Sequence, residues 1–211
     1  MESRNTIIAN GNKIAICGKH ISNDSIHVGL YWNSENEQQI IHFLNGTNIP
    51  VDNANSNDFD GYLFNTIKNF PESLIPTLAA LAELISENKI NNLIFNRQGV
   101  IYNGGKFEFN SGNYIVSPLE KIMNCGVFII ALLNTLDYKL IDWDSWPNQT
   151  QNDYLDIWLT SKNIPQIEWP FFYNQAKTIR GKHIIVSPST NTKPSPYQEV
   201  EVLTQQLLNS I

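Results

Sequence analysis

Three stretches near the start of the chain alternate apolar and polar residues with the period of a β-strand. They are "NKIAICG" at 12–18, "SIHVGLYW" at 25–32 and "QQIIHFLN" at 38–45. The short polar segment "NSENE" separates the second stretch from the third and is typical of a hairpin connection. The pattern therefore predicts two neighbouring antiparallel strands.

Helical periodicity follows in "NFPESLIPTLAALAELISENK" at 69–89, where apolar residues recur at i, i+3, i+4 and i+7 as Leu78, Leu81, Ala82 and Ile85. Pro76 is compatible with this helix if it opens the regular part. A second helix is predicted from about Pro118 through Leu136. The segment "YQEVEVLTQQLLNSI" at 197–211 predicts a closing amphipathic helix.

Shorter apolar pieces lie between the helices and predict further strands: "NLIFN", "GVIYNGGKFEFN" with a Gly-Gly hairpin turn, "NYIVS" and the later "KHIIVSP". The segment at 138–159 is aromatic and irregular. Strands and helices thus occur in mixed order with hairpins, which favours an α+β fold over regular strand–helix alternation. We expect a single domain over 1–211, in which residues 138–211 form a C-terminal addition.

Composition supports a globular protein. Hydrophobic residues make up 42% of the 211 residues and charged residues only 16%, so the chain can form a full core without disulfides. The net charge of −6, without a run of Lys or Arg, argues against nucleic acid as a partner. No apolar window approaches the ~18 residues of a membrane span, and no signal sequence is evident. We therefore expect a cytoplasmic protein, with export by a signal-independent route left open.

The two cysteines, Cys17 and Cys125, are too few for a disulfide framework and lack the spacing of a metal site. No cofactor and no metal ion are predicted from them. They suit a reducing compartment. The remaining question is whether either thiol is chemically active.

Cys125 begins the apolar run "CGVFIIALL". If the helix starts there, Asn124 is a suitable N-cap, and Gly126 lets a substrate approach the backbone. The helix terminus could then lower the thiol pKa from ~8.5 to roughly 3.5–7.5 when a cationic partner assists. Two alternatives stay open: a buried structural cysteine, and a helix that starts near Ser117 and places Cys125 in its middle.

Histidines are the natural bases for such a thiol. If the hairpin turn is centred on Ser34 and Glu35, His27 lies directly opposite His42 on one face of the sheet. Two adjacent imidazoles are what a catalytic base and the residue that orients it would form. Each histidine alone is equally explained as a half-buried strand residue.

The segments "HVGLYW", "IIHF" and "NCGVFIIALL" together resemble the circularly permuted branch of the NlpC-type papain-like cysteine hydrolases, which includes the lecithin:retinol acyltransferase-like proteins. The resemblance implies a papain-like fold in which an antiparallel sheet packs against a cysteine-bearing helix. It assigns Cys125 as nucleophile, His27 as base and His42 as the orienting residue. Asn124 and Gly126 would flank the oxyanion site at the helix N-terminus.

The non-permuted order is the alternative within the same superfamily. "NCGVF" is also similar to the cysteine segment of ordinary NlpC-type peptidases, in which the histidine strand follows the cysteine helix. In that arrangement His183 of "KHIIVSP" would be the base.

The function expected from these residues is a thiol hydrolase or acyltransferase. It would act on an amide of peptide-like character, an ester or a thioester through a Cys–His dyad or triad, in the role of an effector or toxin. The alternative is a non-catalytic papain-like module that binds a protein partner, as an immunity-type protein does. Selective labelling of Cys125 over Cys17 by a thiol probe would discriminate the two.

Overall fold

A computed structural model describes most of the chain and shows an α+β architecture. The described residues are 1–11, 13–22, 25–34, 37–44, 48–88, 93–95, 100–101, 105–115, 122–148, 153–161 and 163–210. The centre of the structure is a six-stranded antiparallel sheet with helices packed on it.

The sheet is built from β1 (Glu2–Ser3), β2 (Ile14–Ser22), β3 (Ser25–Ser34), β4 (Glu37–His42), β5 (Val51–Asn53) and β6 (Leu63–Thr66). Their spatial order is β1-β6-β2-β3-β4-β5, and every neighbouring pair is antiparallel. The first three predicted strands and the antiparallel pairing of the second with the third are confirmed.

The predicted register of the β3–β4 hairpin is wrong by two residues. Gly29, and not His27, is the cross-strand partner of His42, and Ser34 pairs with Glu37. The Ser34–Glu37 pair therefore places the middle of the hairpin one residue later than expected. Residues 35 and 36 lie outside the described part of the chain. Because side chains alternate with a period of two, a shift of two residues leaves the histidines on the same face of the sheet.

The two faces of the sheet belong to different cores. Residues such as Ile26, Val28 and Leu30 of β3 point into the larger core, and Tyr31 points into the smaller one. The smaller core also contains Cys17, which is fully buried. Strand alternation places His27, between Ile26 and Val28, on the face of the smaller core.

Seven helices are present in the described residues: α1 (Arg4–Ala9), α2 (Ile75–Glu87), α3 (Cys125–Thr135), α4 (Asp153–Ser161), α5 (Trp169–Gln175), α6 (Gly181–Val186) and α7 (Tyr197–Leu208). In α2, Pro76 lies in the first turn, and the predicted stripe of Leu78, Leu81, Ala82 and Ile85 is buried. The predicted closing helix corresponds to α7. Helices α2, α3 and α6 pack on β3.

Helix α3 begins at Cys125, with Asn124 as its N-cap, and not near Pro118. Pro118 itself lies outside the described residues. Ten of the eleven residues of α3 are buried, which explains why the sequence shows a continuous apolar run with no polar stripe to mark its start.

Six further two-residue strands lie in the described residues: β7 (Ile94–Phe95), β8 (Val100–Ile101), β9 (Lys106–Phe107), β10 (Tyr114–Ile115), β11 (Ile122–Met123) and β12 (Ala176–Lys177). Strand β9 pairs with β10, whereas β8 pairs with β12. The two strands flanking the Gly-Gly pair therefore do not form the predicted hairpin with each other. Residues 102–104 between them lie outside the described residues.

The predicted strand "KHIIVSP" is wrong, because its residues form helix α6 and the short 3-10 helix Ser187–Ser189. All six residues of α6 are buried, and an apolar run buried on every side carries no period by which a helix can be told from a strand. Gly181 permits the close packing. A Cβ atom there would lie 2.0 Å from the carbonyl oxygen of Ile26.

The segment at 138–211 shares the larger core with the sheet. Ile179, Ile184 and Val200 are fully buried in it. The aromatic part of the segment, expected to be irregular, contains α4. The buried ammonium of Lys177 donates to the carbonyl oxygens of Trp143 (2.9 Å) and Trp146 (2.7 Å), which anchors this part of the chain.

Candidate functional site

Cys125 is the first residue of α3 and is held there by its neighbour. The Oδ1 atom of Asn124 accepts a hydrogen bond from the Val127 N–H at 2.9 Å, as an N-cap does. The Nδ2 atom of Asn124 donates to the carbonyl oxygen of Ile179, so the same side chain fastens α3 to the segment that leads into α6. The helix pattern leaves the N–H groups of Cys125 and Gly126 without intrahelical acceptors.

Gly126 serves packing in this structure. A Cβ atom at this position would lie 2.9 Å from Cγ1 of Ile184 and 3.3 Å from Oδ1 of Asn124. The absence of a side chain therefore lets α6 approach α3 and leaves room for the cap. This differs from the predicted reason, which was the approach of a substrate.

His27 and His42 are brought together by the β3–β4 hairpin. The Nε2 atom of His27 lies 3.0 Å from Nδ1 of His42, and the rings meet edge to face with centroids 5.3 Å apart. Because Gly29 lies opposite His42, the two histidines are diagonal neighbours, and the glycine leaves the space above it free of a side chain. His42 is buried, and His27 is half-buried.

Asp52 extends this pair to a chain of three side chains. Its Oδ2 atom lies 2.8 Å from Nε2 of His42. Sequence reasoning missed this residue because β5 has only three residues, and nothing in the sequence indicates that it pairs with β4. In the structure Asp52 is the cross-strand partner of Ile40, on the face that also carries His42.

The electrostatics around His27 favour its neutral imidazole. Burial, together with the neighbouring His42, lowers the pKa of His27 to about 4. At neutral pH His27 is therefore uncharged and has a lone pair to accept a proton.

The Cys125 thiol does not behave as the sequence predicted. Burial raises the pKa of Cys125, and the backbone N–H groups of Val28, Gly126 and Cys125 oppose this rise without cancelling it. The residue is 8% exposed. The expected fall in the thiol pKa is therefore wrong, because desolvation of the thiolate outweighs the favourable helix terminus.

Cys125 meets the sheet at the end that carries the histidines. Val28, whose backbone N–H lowers the thiol pKa, immediately precedes Gly29, the β3 residue that pairs with His42. The thiol nevertheless belongs to the larger core, on the other face of β3 from His27. No hydrogen bond joins Cys125 to either histidine among the described residues.

Tyr62 adjoins both parts of the site. Burial, together with the nearby Cys17, Cys125, Asp52 and Asp58 groups, raises the pKa of its phenol to about 12. The tyrosine therefore lies within electrostatic reach of both the thiol and the carboxylate. Lys19, the cross-strand partner of His27, places its Nζ atom 5.9 Å from the centroid of the Tyr62 ring.

His183, the alternative base, lies elsewhere. It belongs to α6, where Nδ1 accepts a hydrogen bond from the Arg180 N–H at 3.1 Å and Nε2 lies 3.7 Å from Oε2 of Glu201. Its ring packs on Trp146 at 5.2 Å, and it lines a cavity of about 320 Å³. Burial lowers its pKa to about 3. These contacts make His183 part of the packing between α6 and α7.

Two further properties bear on the chemistry. In the part of the chain that the structure describes, no group of three or more His, Cys, Asp or Glu side chains is arranged to hold a metal ion. None of the helices in the described ranges combines the length and the apolar character that a membrane crossing requires.

No protein-family model matches this chain, and no curated protein or solved structure is significantly similar to it.

Proposed function

We propose that the protein is a cysteine hydrolase or acyltransferase of papain-like type with the permuted order of elements, in which Cys125 is the nucleophile and His27 the base. The hydrogen bond between His27 and His42 carries this proposal. It forms on a strand pair whose strand β3 also packs against α3, the helix that begins at Cys125. A base, a residue that orients it and a nucleophile at a helix terminus are the parts that covalent acyl transfer requires.

The proposed reaction begins with attack of the Cys125 sulfur on the carbonyl carbon of an amide, ester or thioester. In the proposed step the thiol proton passes to Nδ1 of His27, because its Nε2 atom is already bonded to His42. Since Cys125 and His27 lie on opposite faces of β3, this transfer requires a water molecule to relay the proton between them. Collapse of the tetrahedral intermediate expels the amine, alcohol or thiol, which takes that proton from His27. The thioester on Cys125 is then cleaved by water or by an acceptor nucleophile, with His27 acting again as base.

The proton transfer has to accompany the attack. With the pKa of Cys125 raised and that of His27 lowered to about 4, the resting pair is a neutral thiol and a neutral imidazole. His27 therefore acts as a general base, and a preformed thiolate–imidazolium pair is not required. The N–H groups of Cys125 and Gly126 are the proposed donors to the oxyanion, since α3 leaves them without intrahelical acceptors.

The proposed substrates are peptide-like amides or other acyl compounds. This class rests on the resemblance of "HVGLYW", "IIHF" and "NCGVFIIALL" to the permuted NlpC-type hydrolases alone.

Hydrolysis of p-nitrophenyl acetate, a small activated ester, tests the proposal. We expect turnover by the native protein, loss of turnover in Cys125→Ala, and a fall of roughly 10²–10⁴-fold in His27→Ala, which is what general acid–base catalysis contributes. Cys17→Ser is the control, because Cys17 lies fully buried in the smaller core. Equal turnover in the native protein and Cys125→Ala would contradict the proposal.

The second candidate is a papain-like module that binds a protein partner without catalysis. The observation that favours it is the 8% exposure of Cys125 together with the raised pKa of its thiol, both of which suit a packed cysteine. The ester assay separates the candidates, because a binding module gives no turnover that depends on Cys125.

A further inference from the structure

We infer that Asp52 is a positioning residue of the site: it fixes the tautomers of His42 and His27 so that Nδ1 of His27 carries the lone pair. The inference rests on the proposed function for its catalytic consequence. Its structural content, the direction of the hydrogen bonds, stands on the three side chains alone.

The direction of the hydrogen bonds that link His27, His42 and Asp52 follows from the chemistry of the Asp52 carboxylate. An ionised carboxylate only accepts hydrogen bonds, so Nε2 of His42, 2.8 Å from Asp52 Oδ2, must carry the proton. The other nitrogen of a neutral His42, Nδ1, then has the lone pair and accepts from Nε2–H of His27 at 3.0 Å. This leaves Nδ1 of His27 unprotonated, and this nitrogen has no hydrogen-bond partner among the described residues.

Without Asp52 nothing would fix which histidine donates in the hydrogen bond between His27 and His42. His42 could then place its proton on Nδ1 and donate to Nε2 of His27. That reversal would move the proton of His27 to Nδ1, where it would block the proposed base. The carboxylate thus determines which of two otherwise similar arrangements is populated.

The contacts of the His42 ring hold it in the orientation that directs Nε2 toward Asp52. Phe59 packs edge to face on the His42 ring, with centroids 5.6 Å apart, so the ring is held between an apolar side chain and its two hydrogen bonds. Asp52 keeps 44% of its side chain exposed, whereas His42 keeps 9%. The Asp52 side chain is therefore partly exposed while it orients a buried ring.

Nitrogen NMR of the histidine rings tests the direction without reference to activity. In the uniformly ¹⁵N-labelled native protein at pH 7, we expect Nε2 protonated and Nδ1 unprotonated for both His27 and His42. In Asp52→Ala, His42 should populate the Nδ1–H form, and the Nδ1 resonance of His27 should move toward the protonated position. Asp52→Glu, which keeps the charge, should restore the native signature.

Asp58→Ala is the matched control, because Asp58 acts on the same Tyr62 phenol but has no bond to His42. Asp52→Leu, which supplies no acceptor but retains side-chain volume, replaces Asp52→Ala if that variant does not fold. A native protein with Nδ1–H on His27, or unchanged histidine signatures in the folded Asp52 variant, would overturn the inference.

The catalytic consequence is measured separately. Turnover of p-nitrophenyl acetate should fall at least about tenfold in Asp52→Ala, up to the ~10²–10⁴-fold that general acid–base catalysis contributes, and recover in Asp52→Glu. Native turnover that does not depend on Cys125 would contradict the proposed function, while the NMR signature would still decide the role of Asp52. Full turnover in a variant whose tautomers had changed would contradict the catalytic role of Asp52 alone.

Discussion

Gly29 lies directly opposite His42 in the β3–β4 pair, and this relationship lets His27 reach His42 along the diagonal. A side chain at position 29 would stand between Tyr31 and His27 on the same face of β3. The glycine therefore contributes to the candidate site although it carries no functional group.

Replacing Gly29 tests this role. A Cβ atom there would lie 2.8 Å from Cγ2 of Ile40 and 3.2 Å from Cβ of His42. We expect Gly29→Ala to lower the free energy of unfolding by about 1–3 kcal/mol, the usual cost of overpacking, and to disturb the ring of His42. Urea unfolding measures the first effect and the ¹⁵N signature of His42 the second. Native values of both would show that the position tolerates a side chain.

Stability should fall in acid because His27 is held neutral. Its pKa is about 4 in the folded protein against about 6.5 in the unfolded chain, so the unfolded chain binds more protons between these values. The free energy of unfolding should therefore rise with pH from about 4 to 6.5 and level off above that. His183, whose pKa is lowered to about 3, adds to the same trend.

The variant His27→Gln should weaken this dependence, by up to about 3 kcal/mol between pH 4 and 7. Urea unfolding at several pH values measures the effect, and His20→Gln, at an exposed position of β2, is the control. An identical pH dependence in the native protein and His27→Gln would contradict the neutral, buried state of His27.

Much of the fold could be predicted because its periodic segments are long. Strands β2, β3 and β4 alternate clearly, and α2 has a regular apolar stripe with Pro76 in its first turn. Helix α6 was missed because it is buried on every side, so its sequence has no polar face. The start of α3 was ambiguous for the same reason, although Asn124 was recognised as a suitable cap.

The candidate site was predictable only in part. The shared face of His27 and His42 follows from the two-residue period of a strand and survives the error in register. Asp52 could not be found, because β5 is short and its pairing with β4 depends on tertiary structure. The raised pKa of Cys125 could not be predicted either, since burial depends on how α6 and β3 enclose the end of α3.

The reactivity of the free thiol should follow its burial. Alkylation of Cys125 by iodoacetamide should have a pH midpoint above the ~8.5 of an ordinary cysteine, because burial raises its pKa. Cys17, which is fully buried in the smaller core, should remain unlabelled in the folded protein. Peptide mass spectrometry resolves the two sites. A Cys125 midpoint well below 8.5 would instead indicate a thiolate–imidazolium pair.

The proposed function depends on a covalent acyl intermediate at Cys125. The most direct measurement is rapid acid quenching of the native protein with p-nitrophenyl acetate, followed by peptide mass spectrometry. We expect one acetyl group as a thioester on Cys125, accumulating more slowly in His27→Ala and absent from that position in Cys125→Ala. Turnover with no acetyl group on Cys125, or acetylation of Cys125 at the same rate with and without His27, would contradict the proposed function.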